Sequence, residues 1–342
     1  VYSPDRILHP LKRDRGNRGK DRWEQVGWDE VLDEIAGIIL EAKEAYGPES
    51  VAFYSGTGRD IGQYITRLCW GFNSPNFVFL MSGQSCYSPR VAGCFSTSGS
   101  FWVGDYSQQF PDRYDNPAYE LSEVLVLWGK GPLQSNGDGL FGHAVIDMMK
   151  RGTKIICVDP RLTWLTSKSE YHLQLRPGSD AALALAMLHT IIYEGLVNWE
   201  FVGEWCDGFE ELQEHVAEYT PEWAAPITGL SVEQIYDLAR TMGTTKPMAI
   251  QYGNGIGDQQ NDGNWACISI CLIEAITGNL AIPGGGGASM KLPDPLIKTK
   301  KFDILTDRLE ASPEDVEKGY FAGMAKLVAP ELPRWYLNPK TW

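Results

Sequence analysis

The sequence predicts an α/β fold with a parallel sheet flanked by helices, and two observations carry that prediction. Residues 124–128 (Val-Leu-Val-Leu-Trp) and 154–158 (Lys-Ile-Ile-Cys-Val) are short apolar runs separated by a helical pattern over 140–149, and strand, helix, strand at this spacing is a parallel βαβ unit. Each run ends in a polar or glycine-rich turn, Gly129-Lys130-Gly131-Pro132 after the first and Asp159-Pro160-Arg161 after the second. Loops leaving the carboxyl ends of such strands are where open α/β sheets bind ligands. The 342 residues suffice for two or three domains with sizeable cores.

In chain order, residues 1–27 are polar and basic, with Lys12-Arg13-Asp14-Arg15-Gly16-Asn17-Arg18-Gly19-Lys20 read as a solvated lead-in rather than a binding patch. From Asp29, taken as an N-cap, Leu32, Ile35, Ala36 and Ile39 fall at i, i+3, i+4 and i+7 before Gly47-Pro48 stops the pattern, which predicts an amphipathic helix. Residues 50–54 read as a short buried strand leading into Gly56-Thr57-Gly58-Arg59-Asp60-Ile61-Gly62, whose glycine spacing is one residue longer than the dinucleotide fingerprint. The stretch 83–93 then places one thiol, Cys86, among small and polar residues. A soft thiolate suits a transition metal far better than calcium or magnesium; the competing reading is an ordinary small buried hydrophobe.

Asp159, at the end of the second strand, is placed to accept from ribose hydroxyls or a base, or to serve a turn. In Arg176-Pro177-Gly178-Ser179-Asp180, either Ser179 or Asp180 can cap a helix over 181–193, whose first-turn amides can meet an anion. Helices are predicted near 210–218 and 231–242, the second opened by Ser231 with Glu233 behind it. A third apolar strand over 247–251 runs into Tyr252-Gly253-Asn254-Gly255, and a helix over 264–276 ends at Thr277-Gly278-Asn279. The four glycines 284–287 either bring backbone close to a ligand or form a flexible turn. Residues 288–342 mix Pro and Trp and complete no α/β unit.

Composition removes several function classes. With 30 basic and 44 acidic residues the net charge is −14, so tracking phosphates of a nucleic acid would need a basic patch against the global field. Seven scattered cysteines do not read as a disulfide framework, and the absence of C-x-x-C excludes a self-contained zinc or iron-sulfur site of that type. No apolar run reaches the 18 residues a membrane helix needs, so direct membrane insertion is not expected. The compartment stays open: cytoplasmic, or extracytoplasmic if a twin-arginine signal lies upstream. A nicotinamide-dependent dehydrogenase would need G-x-G-x-x-G directly after the first strand, and Gly129-Lys130-Gly131 is followed by no third glycine at that spacing.

The ordered series Gln84-Ser85-Cys86-Tyr87-Ser88-Pro89, Leu127-Trp128-Gly129-Lys130-Gly131-Pro132, Val158-Asp159-Pro160-Arg161, Arg176-Pro177-Gly178-Ser179-Asp180 and Thr277-Gly278-Asn279-Leu280 resembles the catalytic subunits of the dimethyl sulfoxide reductase family of molybdenum or tungsten bis-pterin guanine dinucleotide oxidoreductases. The resemblance implies that residues 83–287 form a dinucleotide-binding-like (Rossmann-like) domain, the family's third, and that 1–82 with 288–342 form an incomplete, discontinuous second domain. On this reading the chain is the central part of a four-domain subunit. It implies a Mo- or W-bis(molybdopterin guanine dinucleotide) cofactor with Cys86 as metal ligand and with Trp128, Gly129, Lys130, Ser135, Asp159, Arg161, Gly178 and Asp180 lining one guanine dinucleotide site. Asp180 would accept from guanine N1–H and the amino group, and Gly253 and Gly255 would let backbone pass near the metal side of the cofactor.

The resemblance further implies a metal cycling between +4 and +6, a small-molecule substrate, and electrons leaving singly through a [4Fe-4S] cluster in the absent N-terminal region, toward a probable iron-sulfur electron-transfer subunit. Tyr87, where formate-oxidising relatives carry His, argues against formate oxidation and is placed to orient or protonate substrate. Gly131 stands where the family often has Asn. The alternative from another class is a cofactor-free subunit of an electron-transfer complex that kept the fold, since fold alone does not settle function.

Overall fold

The structure is a computed structural model that describes residues 2–55, 62–79, 88–99, 103–104, 120–135, 140–258 and 263–287. Described residues fall into two compact units, one within residues 1–80 and the other beyond 81.

In the first unit, β1 (Leu11–Lys12) and β2 (Glu24–Gln25) form an antiparallel pair, followed by α1 (Trp28–Tyr46), β3 (Phe53–Ser55), α2 (Gly62–Phe72) and β4 (Phe77–Phe79). Strands β3 and β4 pair in parallel across α2, a small βαβ unit. Its core joins Phe53, Cys69 and Phe72 to Ile39, Val51 and Ile65, with the Phe53 and Phe72 rings edge to face at 5.6 Å. Three expectations are corrected. Gly27, not Asp29, is the N-cap of α1, and Asp29 lies in the first turn, where its charge favours the helix dipole. Of the predicted stripe only Ile39 reaches the core; Leu32 and Ile35 are 56% and 50% exposed. Residues 48–50 are a 3-10 turn, so the strand starts at Phe53 rather than at 50.

The second unit contains α3 (Ser88–Ser98), β5 (Val103–Gly104), β6 (Val124–Trp128), α4 (Pro132–Ser135), α5 (Leu140–Lys150), β7 (Lys154–Val158), β8 (Tyr171–Leu173), α6 (Asp180–Tyr193), α7 (Trp199–Trp205), α8 (Phe209–Val216), α9 (Pro221–Thr228), α10 (Val232–Thr244), β9 (Met248–Tyr252), α11 (Asn254–Gly257), α12 (Gly263–Ile276) and β10 (Gly286–Gly287). Strands β8-β7-β6-β9 form a four-stranded sheet in which every pairing is parallel. Side chains on a strand alternate between faces, and the two cores follow that alternation. Val124, Val126 and Trp128 enter the larger core with α6 and α12, while Leu125 and Leu127 enter the smaller one with Ala144, Val145 and Met148 of α5. Because both faces are covered, β6 is apolar at every position, as the sequence suggested. Full burial of each such Leu, Ile or Val stabilises by roughly 1.5–3 kcal/mol.

Local chemistry explains the helix boundaries the pattern missed. The Asn198 side chain accepts from Phe201 N and opens α7, and Thr220 does the same for α9, with Pro221 at the first helical position. Ser231 caps α10 as expected, but Gln234 rather than Glu233 completes the capping box. Strand β8 escaped notice because it is a three-residue edge strand with one buried side chain. The glycines 284–287 are no flexible turn. Gly286 donates to the Asn279 carbonyl at 2.7 Å, Gly286 and Gly287 pair with β5, and the Gly284 carbonyl accepts from Ser122 at 2.5 Å. The close approach they permit is to the protein's own backbone.

Candidate functional site

The loops leaving β6, β7 and β9 and the start of α6 come together at the carboxyl edge of the sheet. Trp128 ends β6 with Val158 of β7 on one side and Tyr252 of β9 on the other. After it the chain turns at Gly129, whose φ of +56° favours glycine. Gly129 N donates to the Val158 carbonyl at 2.8 Å, Gly253 N to the Trp128 carbonyl at 3.0 Å, and Gly255 N to the Gly129 carbonyl at 3.3 Å. A Cβ on Gly253 or on Gly255 would stand 2.7 Å from that Gly129 oxygen. The two glycines therefore lock the loop after β9 onto the loop after β6.

Asp159, buried at the end of β7, accepts through Oδ1 from Arg161 N at 2.8 Å and faces Arg161 Nε at 3.5 Å. The turn role is thus observed, with the Arg161 side chain 62% exposed and its Nη2 only 3.2 Å from where a Gly131 Cβ would be. Lys130 lies over the Phe141 ring, its Nζ 5.3 Å from the centroid. Ser135 is exposed and its hydroxyl donates back to the Gly131 carbonyl at 2.9 Å.

Neither candidate cap of α6 caps it with a side chain. The Ser179 hydroxyl donates to the Arg176 carbonyl at 2.6 Å, across a turn in which Gly178 has a φ of +84°. Asp180, the first residue of α6 and 5% exposed, instead accepts through Oδ1 from the fully buried Trp128 indole Nε1 at 2.8 Å. Arg176 is engaged as well, donating to the carbonyls of Pro226 and Ile227 at 3.1 and 2.9 Å. Cys86 and Tyr87 lie outside the described residues, as do residues 56–61 of the first glycine-rich stretch.

Behind this edge is a buried cluster that sequence reading did not single out. The Arg90 guanidinium stacks on the Tyr252 ring at 4.1 Å and donates from Nη1 to the Tyr252 carbonyl at 2.7 Å. The Tyr252 hydroxyl lies 2.9 Å from Cys94 Sγ and 3.0 Å from Cys271 Sγ. Burial raises the Tyr252 phenol well above its ordinary value, and the Cys94 contact together with burial does the same for the Cys271 thiol, so both stay neutral. Burial also pushes Cys267 up to about 12 and Glu274 up to about 8. Arg90 sits within the segment that drew attention to Cys86, and that proximity was the available signal.

Chemically, the edge offers a buried acceptor at the start of α6, two long cations on neighbouring loops, and backbone with little side-chain bulk. Such an arrangement suits a ligand that pairs a hydrogen-bond-donating ring with phosphates.

A protein-family model described as molybdopterin oxidoreductase matches residues 6–329. The chain belongs to the molybdopterin oxidoreductase family. Its relatives include acetylene hydratase of Syntrophotalea acetylenica, 31% identical with 95% of this chain and 43% of that protein covered. Dimethyl sulfoxide reductase DmsA of Escherichia coli (strain K12) is 29% identical, covering 92% of this chain and 42% of its own length. A solved structure, acetylene hydratase from Pelobacter acetylenicus, superposes with a TM-score of 0.64 at 31% identity, covering 83% of this chain and 37% of that one. The chain thus spans about two fifths of the length of the curated relatives it matches. Membership in the molybdopterin oxidoreductase family implies a molybdopterin cofactor with molybdenum or tungsten.

Proposed function

We propose that this chain is the central part of a catalytic subunit that binds molybdenum or tungsten as the bis(molybdopterin guanine dinucleotide) cofactor, with Cys86 as the protein ligand to the metal. The observation that carries the reading is the buried Asp180 at the first turn of α6, oriented by Trp128. A carboxyl held this way can accept from the N1–H and amino group of a guanine. Lys130 and Arg161 supply cations for the diphosphate, and Asp159 orients Arg161. Ser135 lines the same loop, and Gly129, Gly178, Gly253 and Gly255 keep the backbone there free of side chains. When bound, the metal group supplies two-electron redox or oxygen and hydroxyl transfer on a small substrate. Tyr87 orients or protonates that substrate, and an iron-sulfur subunit takes or delivers the electrons.

The test is elemental analysis for molybdenum, tungsten and iron on the full-length gene product, beside its Cys86→Ser variant. Metal near one per chain, with an altered metal spectrum in the variant, supports the reading. No metal in protein matured with its assembly factors overturns it in favour of a cofactor-free scaffold. Tyr87→Phe with unchanged rate and pH profile would remove Tyr87 from the mechanism.

A further inference from the structure

Cys94 of α3 and Cys271 of α12 are buried in contact, Sγ to Sγ at 3.4 Å. The Tyr252 hydroxyl bridges them, 2.9 Å from the first sulfur and 3.0 Å from the second. The helices approach this closely because Gly93, one residue before Cys94, presents no side chain: a Cβ there would stand 2.9 Å from Cys267 Cβ and 3.1 Å from Ile268 N. Two sulfurs already touching need only a small adjustment of side chain and helix to reach the bond length of about 2.05 Å in a disulfide. The pair joins segments 177 residues apart in sequence, and the cofactor reading makes no use of it.

We propose that Cys94 and Cys271 are a redox modification site, a dithiol that hydrogen peroxide converts to a disulfide tying α3 to α12. One sulfur attacks a peroxide oxygen: an S–O bond forms, the O–O bond breaks, and the departing oxygen takes the thiol proton and leaves as water. The second sulfur then attacks the sulfenic sulfur: an S–S bond forms, the S–O bond breaks, and the departing hydroxyl takes the second thiol proton to leave as another water. The two sulfurs together lose two electrons and the peroxide gains them. Arg90, a buried cation, interacts favourably with negative charge on either sulfur and so assists the ionisation that attack requires. Burial makes the first step slow, because the oxidant reaches the crossing only through local opening. The same burial keeps a second thiol beside the sulfenic acid and diverts it from further oxidation. In the disulfide neither sulfur carries a proton, so the Tyr252 hydroxyl can only donate. The site is independent of the cofactor reading.

The experiment treats folded full-length protein with hydrogen peroxide, alkylates the remaining thiols in denaturant, and maps unreduced peptides by mass spectrometry. Oxidation of the partly exposed Cys206 marks the dose. The expected result is a peptide linking Cys94 to Cys271, lost on reduction and absent from Cys271→Ala. The oxidised protein should also melt roughly 5 °C higher, because the bond closes a long loop. Cys94 and Cys271 both still alkylated once Cys206 is fully oxidised would overturn the proposal, as would Cys94 linked to Cys267 or to any other cysteine. A linked peptide with Tm unchanged or lowered would overturn the tying of the helices. The unreduced wild-type map decides by itself if Cys271→Ala fails to fold.

Discussion

The Trp128 indole donates to Asp180 Oδ1 at 2.8 Å across 52 residues of sequence, both side chains being buried. A strand end and a helix start are thereby fixed to each other, and a carboxyl is oriented without using its helix-capping capacity. Trp128→Phe keeps an aromatic ring but removes the donor. The expected cost is about 2 kcal/mol, the usual range for a lost hydrogen bond to an acidic group, read as a lower urea midpoint with unchanged slope.

Asp180→Asn tests guanine recognition. On the proposed reading one acceptor oxygen becomes a donor facing the guanine N1–H and amino hydrogens, so the variant should retain at least about tenfold less cofactor, as expected when buried polar groups are mispaired. Pterin and metal content of purified full-length protein measure it.

Glu274 sets a pH dependence. It is buried, accepts from Ile250 N at 3.3 Å, and its carboxyl is pushed up to about 8, chiefly by burial and further by Cys94, with Arg90 acting the other way. Below pH 4.5 folded and unfolded states both hold the proton, and its full stabilising contribution is present. As pH rises toward 8 the unfolded chain has released a proton that the fold retains, so stability falls, by up to about 5 kcal/mol, and levels off above pH 8. Glu274→Gln should melt higher than wild type at pH 9, with the difference shrinking toward pH 5.

Gly93 of α3 lies directly against Cys267 and Ile268 of α12. A Cβ there would stand 2.9 Å from Cys267 Cβ and 3.1 Å from Ile268 N, so Gly93→Ala should separate the two helices at a cost of about 1–3 kcal/mol. A lowered Tm together with faster exchange in both helices would register it.

Ser231→Ala removes the hydroxyl that accepts from Gln234 N at 3.2 Å and breaks the reciprocal cap of α10. A loss of about 1 kcal/mol is expected, measurable by chemical denaturation, with cofactor content unchanged.

The sequence by itself determined the parallel sheet and the turns at its carboxyl edge, because those signals are local. The continuous apolar run of β6, covered on both faces, and glycine or aspartate after each strand end are read within ten residues. The ordered motifs indicated the family. Only the tertiary structure decided what the residues of those motifs touch. Asp180 reads locally as a cap, yet it accepts from Trp128; the backbone of Gly253 and Gly255 closes onto Gly129, a contact no local pattern shows. Asn279, read as part of a helix-ending motif, accepts from Met248 N and donates to Thr245 O, tying α12 to β9. Arg90 and Tyr252 meet across 162 residues. Periodicity and capping are properties of a few consecutive residues, whereas a buried polar group takes its partner from whichever distant segment the packed sheet and helices bring within hydrogen-bonding distance.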